Sequence, residues 1–262
     1  MNPKEKIQNK TSKLVFVTGA SSGIGLACAE IFAQNGARLL LAARRLDRLE
    51  KLAAKFEKLY KIETLCIRLD VRHQNEVEGK INTLPAEWKK IDILINNAGL
   101  SRGLSKLHEG DLTDWEEMID TNVKGLLYVS RVIIPGMVKR KRGHIINIGS
   151  IAGHELYPGG NVYCATKHAV DALTKGMQID LVDTPVRVSS VDPGMVETEF
   201  SEVRFRGDKE RAKTVYKGIK ALTAFDIAEA VYFCASRPPH VNIHQLRIMP
   251  KAQAAAIIAH RK

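Results

Sequence analysis

Short β-rich apolar runs alternate with amphipathic helical stretches along almost the whole chain, and this alternation restricts the fold more than any other feature. The runs are Leu14 to Thr18, Leu39 to Ala43, Thr64 to Leu69, Ile91 to Ile95, Ile145 to Ile148, Val186 to Val191 and Leu246 to Met249. Helical patterns lie between them, from about Ile24 to Gln34, Asp47 to Lys58, Asn75 to Asn82, Val162 to Leu181 and Ala224 to Ser236. Thr113 opens a further, longer helix, and Glu116 three residues on completes a capping-box pattern. Strand, helix and strand in succession give right-handed crossovers and a parallel sheet covered on both faces. The expected architecture is α/β: a single doubly wound domain over residues 13–250 with a mostly seven-stranded parallel sheet. Residues 1–12 are expected to form a polar N-terminal extension and 251–262 a tail without functional signal. A charged, weakly patterned break at about 197–220 reads as a substrate loop, because long breaks in compact domains usually serve as lids or binding loops.

Composition removes several classes. A chain of 262 residues with 45% hydrophobic and 26% charged residues is neither disordered, collagen-like nor a disulfide-dense mini-scaffold. It has no apolar run of roughly 18 residues, so no membrane span is expected. Its polar first residues do not resemble a secretory signal. Cys28, Cys66, Cys164 and Cys234 are far apart and lack a C-x-x-C pair, which points to reduced thiols in the cytoplasm and no metal site. The net charge of +11 favours anionic ligands, among them a phosphorylated cofactor. The densest basic run, Lys139 to Arg142, lies between a helix and a strand and reads as a solvated helix C-terminus. No nucleic-acid motif or aromatic interleaving accompanies it.

Thr18-Gly19-Ala20-Ser21-Ser22-Gly23-Ile24-Gly25 follows the first strand and opens the first helix. Glycines there permit a tight turn and let backbone N–H groups approach a diphosphate at the helix N-terminus. The G-x-x-x-G-x-G spacing is no P-loop, since no Gly-Lys-Ser/Thr follows. The second strand ends Ala42-Ala43-Arg44-Arg45, without the acid that would accept from a ribose 2′-OH. Arg44 and Arg45 offer guanidinium groups to a 2′-phosphate instead, so NADP is favoured over NAD.

Ser150 directly follows the fifth strand-like run, Tyr163 comes thirteen residues later and Lys167 four after that. The i,i+4 pair shares a helix face. A tyrosine near pH 10 needs an adjacent cation to act as acid or base near neutrality, and Lys167 could supply it. Ser150, at a strand's carboxyl end, could hold a substrate oxygen.

With these motifs, Asn96-Asn97-Ala98-Gly99 and Pro193-Gly194, the chain resembles the short-chain dehydrogenase/reductase family over about Lys13 to Pro250. The resemblance implies a Rossmann-like fold, Tyr163 as proton donor and acceptor, Lys167 lowering its pKa and binding the nicotinamide ribose, and Ser150 orienting the substrate oxygen. Asn122 matches the family's fourth catalytic residue, which holds a water in a relay toward the lysine. The implied cofactor contacts are Gly19, Ser21, Ser22, Gly23, Ile24 and Gly25 in the turn, then Arg44 and Arg45. Asp70 and Val71 follow at the adenine, then Asn97, Ala98 and Gly99, then Tyr163 and Lys167. Pro193, Gly194, Val196 and Thr198 border the nicotinamide.

Stretches such as Leu84 to Trp88, Gly159 to Tyr163 and Glu199 to Gly207 are similar to the NADP-dependent serine and 3-hydroxy acid dehydrogenases of bacteria and yeast. That likeness implies oxidation of the 3-hydroxyl of serine, allo-threonine or related acids by a homotetramer. Another ketone or aldehyde remains an alternative substrate, and a non-catalytic NADP-sensing regulator an alternative function. A 3-hydroxy acid also needs a cation for its carboxylate, for which Arg102, Arg204 and Arg206 are candidates, the last two sharing a side of an extended segment.

Overall fold

The computed structural model describes residues 12–262; the expected extension falls almost wholly on residues 1–11, outside the described residues. The strands are β1 (Leu14–Thr18), β2 (Arg38–Ala43), β3 (Thr64–Arg68), β4 (Ile93–Asn96), β5 (Gly143–Ile148), β6 (Val186–Pro193) and β7 (Gln245–Ile248). They form one all-parallel sheet in the order β3-β2-β1-β4-β5-β6-β7, so the expected fold class is borne out.

The helices between strands are α1 (Gly23–Gln34), α2 (Leu46–Tyr60), α3 (Gln74–Asn82), α4 (Leu112–Ile119), α5 (Gly125–Lys139), α6 (Asn161–Asp180), α7 (Phe200–Arg204), α8 (Lys209–Thr214) and α9 (Ala224–Ser236). Successive strand residues point to opposite faces and therefore divide between two cores. Val15, Val17, Leu39 and Leu41 pack with Ala27 and Ile31 of α1, Leu49 of α2 and Val231 of α9. Leu14, Phe16, Leu40 and Leu94 pack on the other side with Val77 of α3 and Val129 and Ile133 of α5. Central strands buried on both faces explain the continuous apolar runs in the sequence.

Three expectations need correction. Thr113 does not cap its helix: Asp111 is the N-cap and accepts from the backbone N–H groups of Thr113 and Asp114. Asp is a strong cap in its own right, and it sits just ahead of the apolar pattern that drew attention to Thr113. A capping box does form, at Thr223 and Asp226 ahead of α9. The break at 197–220, expected as a loop, holds two short helices, α7 and α8. Arg204 and Arg206 do not lie on an extended segment either: Arg204 ends α7 and Arg206 has φ +52° in the following turn.

The basic run after α5 is partly structural. Arg140 donates to the carbonyls of Lys89 and Ile91, and Arg142 pairs with Asp92, tying the helix end to the approach to β4.

Phe16 is fully buried at the centre of the sheet. Phe16→Ala should cost roughly 3–5 kcal/mol in equilibrium urea unfolding, as buried Phe→Ala truncations do. A loss below about 1 kcal/mol would show that this layer collapses around the cavity.

Candidate active site

Strand order reverses between β1 and β4, and the crevice beyond their carboxyl ends is where doubly wound sheets bind ligands. The crevice is held open by a specific set of bonds. The Asn97 side chain donates to the carbonyls of Thr18 and Gly19 at 2.9 and 3.2 Å. The Thr18 hydroxyl accepts from the backbone N–H groups of Asn97 and Ala98 at 3.0 and 3.1 Å. Gly19 has φ +65°, and a Cβ there would come within 2.9 Å of Asn97 Nδ2. A Cβ on Gly25 would sit 2.5 Å from the Gly19 carbonyl oxygen. The loop therefore needs glycine for close packing as well as for backbone shape.

α1 begins without a side-chain cap on Ser22 and without an acid in its first turn. Its free N–H groups and the positive end of its dipole face the crevice, an arrangement suited to a diphosphate. Arg45 donates to the hydroxyls of Ser21 and Ser22 and pairs with Glu199 at 3.1 Å. Arg44 is half exposed, with Glu117 3.7 Å away. Both arginines line the same cavity as the glycine turn, and their charge suits a phosphorylated dinucleotide. Asp70 is engaged by the Arg72 fork. Burial raises the Asp70 carboxyl, but bonds from Arg72 outweigh it and hold the group below the usual range.

One cavity of about 780 Å³ gathers these groups. Every residue expected to touch cofactor or substrate lines it except Gly25, Asn122 and two of the carboxylate candidates, Arg102 and Arg206. Gly25 packs beneath the turn. Asn122 lies one layer back, in a π-helical turn at Asp120–Lys124, a feature often found at functional sites. Its side chain pairs with both the N–H and the carbonyl of Leu100, each at 2.8 Å, and donates to Thr166.

Ser150, Tyr163 and Lys167 come together at the cavity wall, each nearly buried. Burial raises the Tyr163 phenol, while the Arg204 guanidinium and the neighbouring Ser150 hydroxyl pull it down. Sequence reasoning assigned that cationic influence to Lys167, helped by the oxidised nicotinamide ring, whereas Arg204 is the cation that acts on the phenol in this structure. The Lys167 ammonium donates to the Ile148 carbonyl at 2.8 Å. Burial lowers its pKa to about 8, with the Asp192 carboxylate opposing. Asp192 is itself held by Ser190, His154 and Gln245.

Two parts of the wall were missed. Tyr157 and Phe200 supply aromatic faces, for which the sequence carried no separate signal. The tail, expected to be silent, returns to the cavity: Gln253, Ala256 and Ile257 line it, and Gln253 Oε1 accepts from the Met195 N–H at 2.8 Å. Its alanine-rich stretch has no periodicity from which this could be read.

Comparison with known proteins agrees with the motifs. The profile of the short chain dehydrogenase family matches residues 13–209. The chain is 47% identical to the NADP-dependent 3-hydroxy acid dehydrogenase YdfG of Salmonella typhi, covering 95% of this chain and 99% of that one. It is 43% identical to the NADP-dependent 3-hydroxy acid dehydrogenase of Schizosaccharomyces pombe, covering 95% and 97%. The closed form of a serine dehydrogenase complexed with NADP+ superposes with a TM-score of 0.89 at 45% identity, covering 95% of this chain and 100% of that one.

A buried ammonium should leave a mark on stability. Unfolded Lys167 keeps its proton to about pH 10.5, whereas the folded residue releases it near 8. Between those values the unfolded chain binds more protons, so this group's contribution to stability rises with pH. In cofactor-free protein at pH 7, Lys167→Met should gain up to about 3 kcal/mol, less the hydrogen bond lost at Ile148. The gain should vanish by about pH 10.5. Urea midpoints at both pH values test this, and a pH-independent difference would contradict it.

Proposed function

This chain belongs to the short-chain dehydrogenase/reductase family, and from that premise we propose that it is an NADP-dependent dehydrogenase of 3-hydroxy acids. Its substrates are serine, allo-threonine or related acids oxidised at the 3-hydroxyl carbon, with carbonyl reduction as the reverse. The observation that carries this reading is the convergence of Ser150, Tyr163 and Lys167 on the same cavity that the glycine turn and two arginines line. The relatives named above support the substrate class and cofactor.

Bound NADP+ supplies the hydride acceptor. Ser150 donates to the carbinol oxygen and fixes its distance from Tyr163. The Tyr163 phenolate takes the hydroxyl proton, and the phenol returns it in reduction. Lys167 holds the nicotinamide ribose and supplies positive charge beside the phenolate. Asn122 holds a water that passes the proton toward Lys167. Its Oδ1 and the Lys167 Nζ both face Gly99, where a Cβ would lie 3.2 and 3.8 Å from them. The turn from Gly19 to Gly25 takes the diphosphate, Arg44 and Arg45 the 2′-phosphate, and Asp70 and Val71 the adenine. Asn97, Ala98 and Gly99 run along the cofactor, and Pro193, Gly194, Val196 and Thr198 border the nicotinamide.

The proposed assembly is a cytoplasmic homotetramer. Exposed apolar side chains on the outer helices support it: Leu112 and Ile119 on α4, Leu127 on α5, and Ile179 and Val182 at the end of α6. Sedimentation velocity tests the assembly. Among the described residues no helix is long and apolar enough to cross a membrane.

The reading as a whole is tested by offering L-serine, other 3-hydroxy acids and simple alcohols with NADP+ and following absorbance of the reduced cofactor. Turnover of simple alcohols with no 3-hydroxy acid oxidised would overturn the substrate class.

Tyr163→Phe keeps the ring and removes the hydroxyl. Turnover should fall by roughly 10²–10⁴-fold while NADP+ affinity changes little. More than half the wild-type kcat would remove Tyr163 from the mechanism.

Arg44→Ala should raise the KM for NADP+ by about tenfold or more through loss of charge-assisted bonds. The KM for NAD+, which lacks the 2′-phosphate, should move much less. Equal losses with both cofactors would make Arg44 structural.

A further inference from the structure

We propose that Arg204 is the substrate-carboxylate residue, a cation aimed into the cavity beside Tyr163 that selects 3-hydroxy acids over neutral alcohols. This rests on the reading above and names the part of the site that reading leaves unassigned.

The three candidate arginines differ in how their charge is used. Arg102 is spent: its Nε bonds Glu117 at 2.7 Å, and its Nη1 bonds the Val203 carbonyl. Arg206 is exposed and paired with Asp114. Arg204 has no carboxylate within ion-pair distance among the described residues. Its bonds go to neutral hydroxyls, from Nε to Ser101 at 3.0 Å and from Nη2 to Tyr157 at 2.8 Å. Nη1 has no hydrogen-bond partner among the described residues.

Aromatic rings fix the direction of the guanidinium. Its carbon lies 5.3 Å from the centroid of Phe200, 5.4 Å from Tyr163 and 5.7 Å from Tyr157. The three rings pack around the guanidinium, and Arg204 is itself part of the cavity lining. A partly desolvated cation without a counter-ion, oriented by two hydroxyls, is an incomplete ion pair. The missing partner is an anion small enough to enter beside Tyr163.

The chemistry of a 3-hydroxy acid matches that gap. Its carboxylate carbon is two bonds from the carbinol carbon, so an oxygen seated on Ser150 and Tyr163 brings the carboxylate to the edge of the Tyr163 ring. A planar fork meets a carboxylate in two places, which an ammonium does not.

Dead-end binding provides the test. 3-Hydroxypropanoate and its amide, 3-hydroxypropanamide, are titrated calorimetrically into NADPH-saturated enzyme, where neither can be oxidised. Wild type should prefer the acid. Arg204→Met should lower the acid-to-amide affinity ratio by about ten- to a hundredfold. Arg204→Lys, which keeps the charge and loses the fork, should fall between them. Should the Met variant fold poorly, a Lys variant with the wild-type Tm and a reduced ratio still carries the assignment. An unchanged ratio in both variants, or no preference for the acid in wild type, overturns it. Turnover of 3-hydroxypropanoate with NADP+ is scored separately. A ratio lost on substitution without any turnover would sink the dehydrogenase substrate class and leave Arg204 as an anion site. Turnover with an unchanged ratio would do the reverse.

Discussion

The Asn97 side chain, set against the carbonyls of Thr18 and Gly19, is the contact on which the rest of the site depends. β1 and β4 are neighbours in the sheet, yet the chain leaves them in opposite directions, and something must hold the two strand ends at a fixed separation. Asn97 and the Thr18 hydroxyl do this with hydrogen bonds in both directions. A charged or larger residue at either place would close the crevice or leave buried carbonyls unpaired, each at a cost of about 1–3 kcal/mol. The glycine turn, the bare helix end and the backbone beyond Asn97 are all registered against this clamp.

The site is electrostatically incomplete by itself. An ammonium is buried at Lys167, a guanidinium is caged at Arg204, and the first turn of α1 carries no acid. Each of these is destabilising or neutral in the isolated fold, and each becomes favourable beside negative charge. Asp192 offsets part of the Lys167 burden from the far side, held there by Ser190, His154 and Gln245. Stability given up in this way is the usual accompaniment of a preorganised site.

What the sequence made legible follows from locality. Central strands such as β1 and β2 are buried on both faces, so their apolar runs stand out and their bounds differ from expectation by a residue or less. The glycine turn, Ser150, Tyr163 and Lys167 could be read because their spacing is set by one turn and one helix. Charge pairing could not. Whether Arg102, Arg204 or Arg206 carries a free charge depends on Glu117 and Asp114, about a hundred residues away in the case of Asp114 and Arg206. Arg45 bridges to Glu199 across 154 residues. The tail's return rests on scattered polar contacts, Gln253 with the Met195 N–H, the Ala256 N–H with Glu155 and Arg261 with the carbonyls of Val215 and Lys217, and none of them leaves a pattern in the sequence. Helix capping failed for a different reason: Asp111 and Thr113 are both good caps two residues apart, and only the backbone decides between them.

The strand order also has a kinetic side. Val15 of β1 pairs with Ile93 of β4, a separation of 93 − 15 = 78 residues. Loop-closure entropy for such a contact must be met before its hydrogen bonds form, and folding rates fall as such remote pairings accumulate. β1 and β2 can meet early, since Leu14 and Arg38 are 38 − 14 = 24 residues apart. The crevice is therefore late by construction. A refolding chain acquires a paired β1–β2 edge well before it has a cleft, and recovery of ligand binding should trail recovery of secondary structure.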